Sequence, residues 1–307
     1  MYLFFFFAIF SIMACDKQTN KLIAVKALND YPSGSGLAFL DDRLYIIGDD
    51  ASDILVMDTQ FQVIDRINLF TPGQKRIPKD IKADLESIAL IKLKATTAFL
   101  LAGSGSLSPH RNVAWIVDPA NKDKKQYRLD TFYNRLRNAG IQDLNIEGIT
   151  TLPFGIMLAS RGNKSFLKNY LILTSDRFWE NQESAAISLI STGINTDTSF
   201  FTGISGLDYS YSSDQLLLTV STEDTRNSYE DGAVGKSYLW IINDISSKRN
   251  WKAIHPDRII DLEELDSRFK GNKVESVCIV AENANERELA LVADDDKGGT
   301  VLFKMIL

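Results

Sequence analysis

Three glutamates stand at matching places in three short, similar stretches: Glu86-Ser87-Ile88, Glu147-Gly148-Ile149 and Glu275-Ser276-Val277. Two further copies carry serine instead of the acid, Ser35-Gly36-Leu37 and Ser205-Gly206-Leu207. Carboxylates are hard oxygen ligands, and three of them gathered around one axis would hold a hard cation such as calcium. The same glutamates would serve a purely architectural end if each accepted backbone N–H bonds from a neighbouring repeat and locked it in place. The two readings are compatible. The expected metal set is Glu86, Glu147 and Glu275.

Other chemistries are closed by composition. The 307 residues include two histidines, His110 and His255, and two cysteines, Cys15 and Cys278. That removes Cys/His zinc clusters and disulfide frameworks, and leaves few candidates for a general base. His255 reads as structural and Cys278, in an apolar run, as a core hydrophobe. Gly103-Ser104-Gly105-Ser106 lacks the Gly-Lys-Ser/Thr of a phosphate loop. No Gly-x-Ser-x-Gly elbow stands between a strand and a helix. The Asp294–Asp296 run lacks the spacing of a calcium-binding EF-hand loop and reads as a solvated loop. With 34 basic against 40 acidic residues, a net charge of −6 and no long basic run, the chain is not expected to bind nucleic acid.

The five copies recur at intervals of 51, 61, 58 and 70 residues. Each opens an apolar strand, and each is followed by a turn and a second apolar strand, at 44–48, 98–102, 156–159, 216–220 and 289–293. Third strands follow at 54–57, 113–117, 170–173, 238–242 and 300–304, and fourth strands are visible in the first four units. Four short strands per repeat is the pattern of a β-propeller blade. The last unit has room for three strands only, and the unassigned strand at 22–28 would complete it and close the ring. The expectation is therefore an all-β fold, a single β-propeller of five four-stranded blades. Six blades is the alternative, and it would need a shorter repeat and a sixth copy of the motif. Short helices are expected in blade linkers at 131–139, with Asp130 as cap, and at 262–270, with Asp261 as cap, both covering one mouth of the ring.

In an antiparallel hairpin the start of strand one and the end of strand two lie together. The repeat glutamates should thus share a face with the loops after each second strand. Those loops supply the expected ligand-binding residues: Asp49, His110, Arg111, Arg161, Glu223, Asp224 and Asp294. Glu230 and Asp231 lie in the same loops.

Residues 2–14 form an uncharged apolar run, too short to span a bilayer and of the length of a secretory signal. It ends in Ile-Met-Ala-Cys, after which the sequence turns polar. The expectation is a 14-residue lipoprotein signal, lipidation at Cys15, and a mature domain over 15–307 anchored by acyl chains to a membrane of the bacterial cell envelope.

The stretches Ser35-Gly36-Leu37, Glu147-Gly148-Ile149 and Ser205-Gly206-Leu207 resemble the repeats of the SdiA-regulated family of bacterial propellers. They are also similar to those of esterase-like phytases and of Bacteroidota-type lipoprotein propellers. The likeness covers residues 30 to 307. It implies glutamates Glu86, Glu147 and Glu275 around the channel mouth and a bound cation, for which calcium is the expected cofactor on the oxygen-ligand chemistry above. A phytase-like activity needs a basic pocket, whereas Arg111, Arg161, Lys164, Arg226 and Lys297 are outnumbered by acids in their own loops. The expectation is a monomeric envelope propeller that binds a small-molecule, cation or protein partner on this face. The alternative is a calcium-dependent phosphoesterase or lactonase-like hydrolase.

Overall fold

The computed structural model describes residues 20–70, 76–93, 96–193, 201–228, 234–295 and 298–307. The leader and Cys15 lie outside them. Strand β1 (Lys21–Leu28) precedes blade one, which is β2 (Gly34–Leu40), β3 (Arg43–Gly48), β4 (Asp53–Asp58) and β5 (Val63–Asn68). Blade two is β6 (Leu85–Leu93), β7 (Thr96–Gly103), β8 (Val113–Val117) and β9 (Lys124–Arg128). Helix α1 (Asp130–Asn138) leads into blade three: β10 (Ile146–Leu152), β11 (Gly155–Ser160), β12 (Asn169–Thr174) and β13 (Ile187–Thr192). Blade four contains β14 (Phe201–Ser210), β15 (Gln215–Glu223) and β16 (Val234–Ile242), followed by α2 (Ile245–Lys248), β17 (Ala253–Ile254) and the outer strand β18 (Arg258–Asp261). Helix α3 (Leu262–Leu265) and a 3-10 turn (Ser267–Phe269) then lead to blade five: β19 (Lys273–Glu282), β20 (Arg287–Asp294) and β21 (Thr300–Ile306).

Each blade is an antiparallel meander, and β1 pairs with β21 to supply the fourth strand of blade five. The ring is closed by its first and last strands, which leaves no gap between blades one and five. The strands form because they are apolar and β-branched, and because blades are covered on both faces. Phe99 to Ala102 on β7, for example, are fully buried in sequence, with no polar alternation. Five apolar layers fill the spaces between neighbouring blades, one per pair.

The inner strands β2, β6, β10, β14 and β19 share one irregularity. Each slips register against its second strand, between Gly34 and Gly36, Leu85 and Ser87, Ile146 and Gly148, Ile204 and Gly206, and Val274 and Ser276. The extra residue is Ser35, Glu86, Glu147, Ser205 or Glu275. All five repeat positions are therefore β-bulges, a device that re-aims a side chain and tightens the local twist. The small residue after the bulge is needed because the inner strands crowd there. A Cβ on Gly206 would stand 2.5 Å from the Glu275 carbonyl oxygen, and one on Gly148 would stand 2.3 Å from Leu207.

Two details depart from the sequence reading. The helix expected at 262–270 is broken: Asp261 caps Glu263 and Glu264, but Asp266 is extended and caps a separate 3-10 turn through Arg268. Strand β17, in the connection after α2, crosses to pair in parallel with β13, giving blade three a fifth strand. Helix α1, expected at 131–139, runs over Asp130–Asn138, and Gly140, whose φ of +121° suits glycine, follows its C-cap Ala139. Asp130 lies inside its first turn and binds Asn112 and Arg128 rather than capping it. Neither α1 nor α3 contributes to the axial cavity described next, so the mouth stays uncovered by them.

Candidate functional site

The five bulges open into a cavity of about 780 Å³ at the mouth of the ring. The hairpin argument is fulfilled in its placement, because every loop after a second strand reaches the lining, through Asp49 and Asp50, Arg111, Arg161, Glu223 and Asp294. Glu86, Glu147 and Glu275 line it as well. Eight acidic and six basic side chains meet there in all.

The charges fall into two groups. On the side of blades one and two, Lys82 pairs with Asp49 and, at 2.7 Å, with Asp84. Asp84 also takes Arg111 Nη1 at 2.6 Å and the Ser104 hydroxyl. Arg76 closes the rim through Asp50 at 2.6 Å and Ser33 at 2.6 Å. On the side of blades three to five, Arg161 binds Glu223 at 2.7 Å and Ser221 at 3.1 Å. Its guanidinium lies over Gly203, where a Cβ would stand 2.6 Å from Nε. Lys273 bridges Glu275 at 2.9 Å and Glu223 at 3.3 Å. Among the described residues Glu147 accepts only from Asn145, at 2.6 Å. Asp143, outside the lining, ties Asn163 of blade three to Ser228 of blade four.

Glu86 is the exception: it takes part in no hydrogen bond or ion pair among the described residues. Burial, reinforced by Asp84, Glu147 and Asp49, holds its carboxyl far above the usual range. Burial raises Glu275 to about 8 and Asp49 to about 6, against the pull of Lys273 and Lys82 respectively. Burial raises Glu147 too, countered by Arg161 and Lys273. Asp84 goes the other way, because Lys82 and Arg111 outweigh its burial and lower it. One oxygen each of Asp49, Asp50 and Glu275 is buried without a hydrogen-bond partner.

The glutamates do not lock the ring: no backbone N–H donates to any of them among the described residues. The serines do this. Ser35 Oγ donates to the Leu85 carbonyl at 2.6 Å and Ser205 Oγ to the Val274 carbonyl at 2.6 Å, each reaching the neighbouring blade. The carboxylates near enough to share a metal are Asp49, Asp84 and Glu86, whose oxygens lie within 4.8 Å of one another. Of these only Glu86 belongs to the expected set. Glu86, Glu147 and Glu275 do not form such a close group among the described residues.

His110 is exposed and outside the lining, although its neighbour Arg111 is buried within it. Asp224 is turned outward to Lys164. Glu230, Asp231, Asp296 and Lys297 lie outside the described residues. Sequence reasoning missed Lys82, Asp84, Asn145 and Lys273; the last three stand two positions before a bulge, as do Ser33 and Gly203.

The fold is similar to those of solved structures at low sequence identity. Over 94% of this chain and 97% of the other, it is similar to glutaminyl cyclase from Myxococcus xanthus, with a TM-score of 0.51 and 8% identity. It is also similar to the tail fibre of Staphylococcus aureus phage P68, at TM-score 0.47 and 10% identity, over 94% of this chain and 53% of that one. Streptogramin B lyase is similar at TM-score 0.40 and 8% identity, over 92% of this chain and 97% of that one. No curated protein matches the sequence. Residues 30–307 match a family described as a family of unknown function, DUF6929.

Proposed function

The chain belongs to DUF6929, and from that starting point we propose that it is a binding propeller whose axial mouth receives a small cationic ligand. One observation carries this reading. The buried cations Lys82, Arg111, Arg161 and Lys273 each already hold a carboxylate, and among the lining's buried polar atoms without a hydrogen-bond partner three are carboxylate oxygens, of Asp49, Asp50 and Glu275, against a single donor, Arg111 Nε. A buried acceptor without a donor is costly, so a ligand that brings positive charge gains most there. A phosphate finds its candidate partners already neutralised.

A hard divalent cation, calcium by the chemistry of the donors, fits the group Asp49, Asp84 and Glu86 if it displaces the Lys82 ammonium. The second reading, a hydrolase of phosphoesters or lactones, draws on the opposite shifts of Asp84, lowered by Lys82 and Arg111, and Glu86, raised by burial, a divergence of the kind acid–base catalysis uses. The protein is further proposed to be carried on an envelope membrane by a lipid on Cys15. Exchange of Cys15 for serine should then release it from the membrane fraction.

Calorimetric titration with calcium chloride, 1,4-diaminobutane and inorganic phosphate tests the binding reading. The expected result is heat from at least one of the two cations and none from phosphate, with Glu86→Gln weakening cation binding at least tenfold. Phosphate binding without cation binding would overturn it. Chelator-sensitive turnover of phosphoester or lactone substrates would favour the hydrolase.

A further inference from the structure

A second cavity, of about 380 Å³, lies at the opposite end of the ring, where the inner strands finish. Its wall is aliphatic and aromatic, with Leu37, Ile88, Ile149 and Leu207 from four different blades. One carboxylate, Asp208 on β14, stands among them. It accepts the backbone N–H of Ile279 at 2.9 Å and of Tyr209 at 2.8 Å, and the Thr150 hydroxyl at a long 3.4 Å, but enters no ion pair among the described residues. Glu282, the other acid of the lining, is already held by Arg287 and Ser210.

We propose that this cavity binds a small apolar organic cation, an ammonium group carried on a hydrocarbon body, with Asp208 as its counter-charge. The apolar wall rewards burial of hydrocarbon by roughly 25 cal/mol per Å². Two backbone donors and one long hydroxyl bond stabilise the carboxylate only in part, and a negative charge in apolar surroundings without a paired cation is expensive. Burial accordingly raises Asp208 to about 6, and the backbone bonds, the Thr150 hydroxyl and Arg287 do not fully offset it. The other titratable groups that face it are Tyr211 in the β14–β15 hairpin and Cys278 on β19, both pushed upward by burial and so neutral near pH 7. A phosphate or carboxylate ligand would meet repulsion here, and a strongly hydrated metal ion would find a single acid. The volume is at the small end of ligand sites, which suits one ring or a short chain. This site is independent of the axial mouth.

The test is titration of the full soluble domain with benzylamine, and with benzyl alcohol as the neutral match in shape. Benzylammonium should bind at least tenfold more tightly than the alcohol at pH 8. Its affinity should fall roughly tenfold between pH 8 and pH 5, as Asp208 takes up a proton while the amine stays charged. Asp208→Asn should remove the preference. Ala89→Phe, which fills the cavity and leaves the carboxylate intact, should abolish binding even if the Asp208 variant folds poorly. Equal binding of the amine and the alcohol, or amine binding that survives Ala89→Phe, would overturn the proposal.

Discussion

Glu275 shows what enclosure by the ring does to a single carboxyl. Its folded-state proton is held to about pH 8, against an ordinary value of 4.5. The folded state therefore binds more protons than the unfolded chain between those values, so its contribution is full below 4.5 and is lost as pH rises through 8. Melting curves should show stability falling across that window, with a shallower fall in Glu275→Gln; parallel curves would contradict the assignment. Lys82 is the complementary case. Replacing it with methionine leaves Asp49 and Asp84 buried without their ammonium, and should cost about 3–5 kcal/mol in urea unfolding. Such partners were hard to read from the sequence. The positions two before each bulge hold Ser33, Asp84, Asn145, Gly203 and Lys273, which share a place but no chemistry, so no repeat announces them.

At the scale of elements, the inner strand does the positioning. Its bulge aims one side chain at the axis, its small next residue lets five strands approach, and its serine, where present, ties two blades. Ser205→Ala should cost about 1–2 kcal/mol, because the Val274 carbonyl loses a buried donor. Gly206→Ala should cost more, about 2–3 kcal/mol, since the contact is with backbone of the next blade. If denaturant midpoints rank the two the other way, crowding is not what selects glycine there. The strands and their order were legible because each blade repeats an apolar run, a turn and a second apolar run. The bulges were visible only as a motif, since register is a relation between two strands. Asp266 was hidden in a helical pattern because one aspartate can cap a following turn as readily as it can sit mid-helix. The crossing by β17 depends on a neighbouring blade and has no local signal.

For the whole molecule, closure is the decisive contact. Strand β1 covers β21 over seven registered pairs, from Lys21 with Ile306 to Leu28 with Thr300. Removing residues 1–28 should expose the edge of blade five and part of the layer it shares with blade one, which includes Leu28 and Tyr31. The truncated protein should lose its cooperative melt and aggregate. A sharp melt within a few degrees of the full chain would show that the ring does not depend on this strand. Closure also explains why the count of five could be read from the sequence, since the last unit lacked one strand and the first residues of the domain supplied it.

The direction of β1 carries a further consequence. Lys21 lies level with Ile306 and Glu288, at the end of blade five that holds Glu282 and the second cavity, while Leu28 and Thr300 lie level with Asp294 at the axial mouth. The described chain thus begins, at residue 20, on the far side of the ring. Tethered to any surface by that end, the molecule stands like a cup on its base, with its charged bowl open to the surrounding fluid.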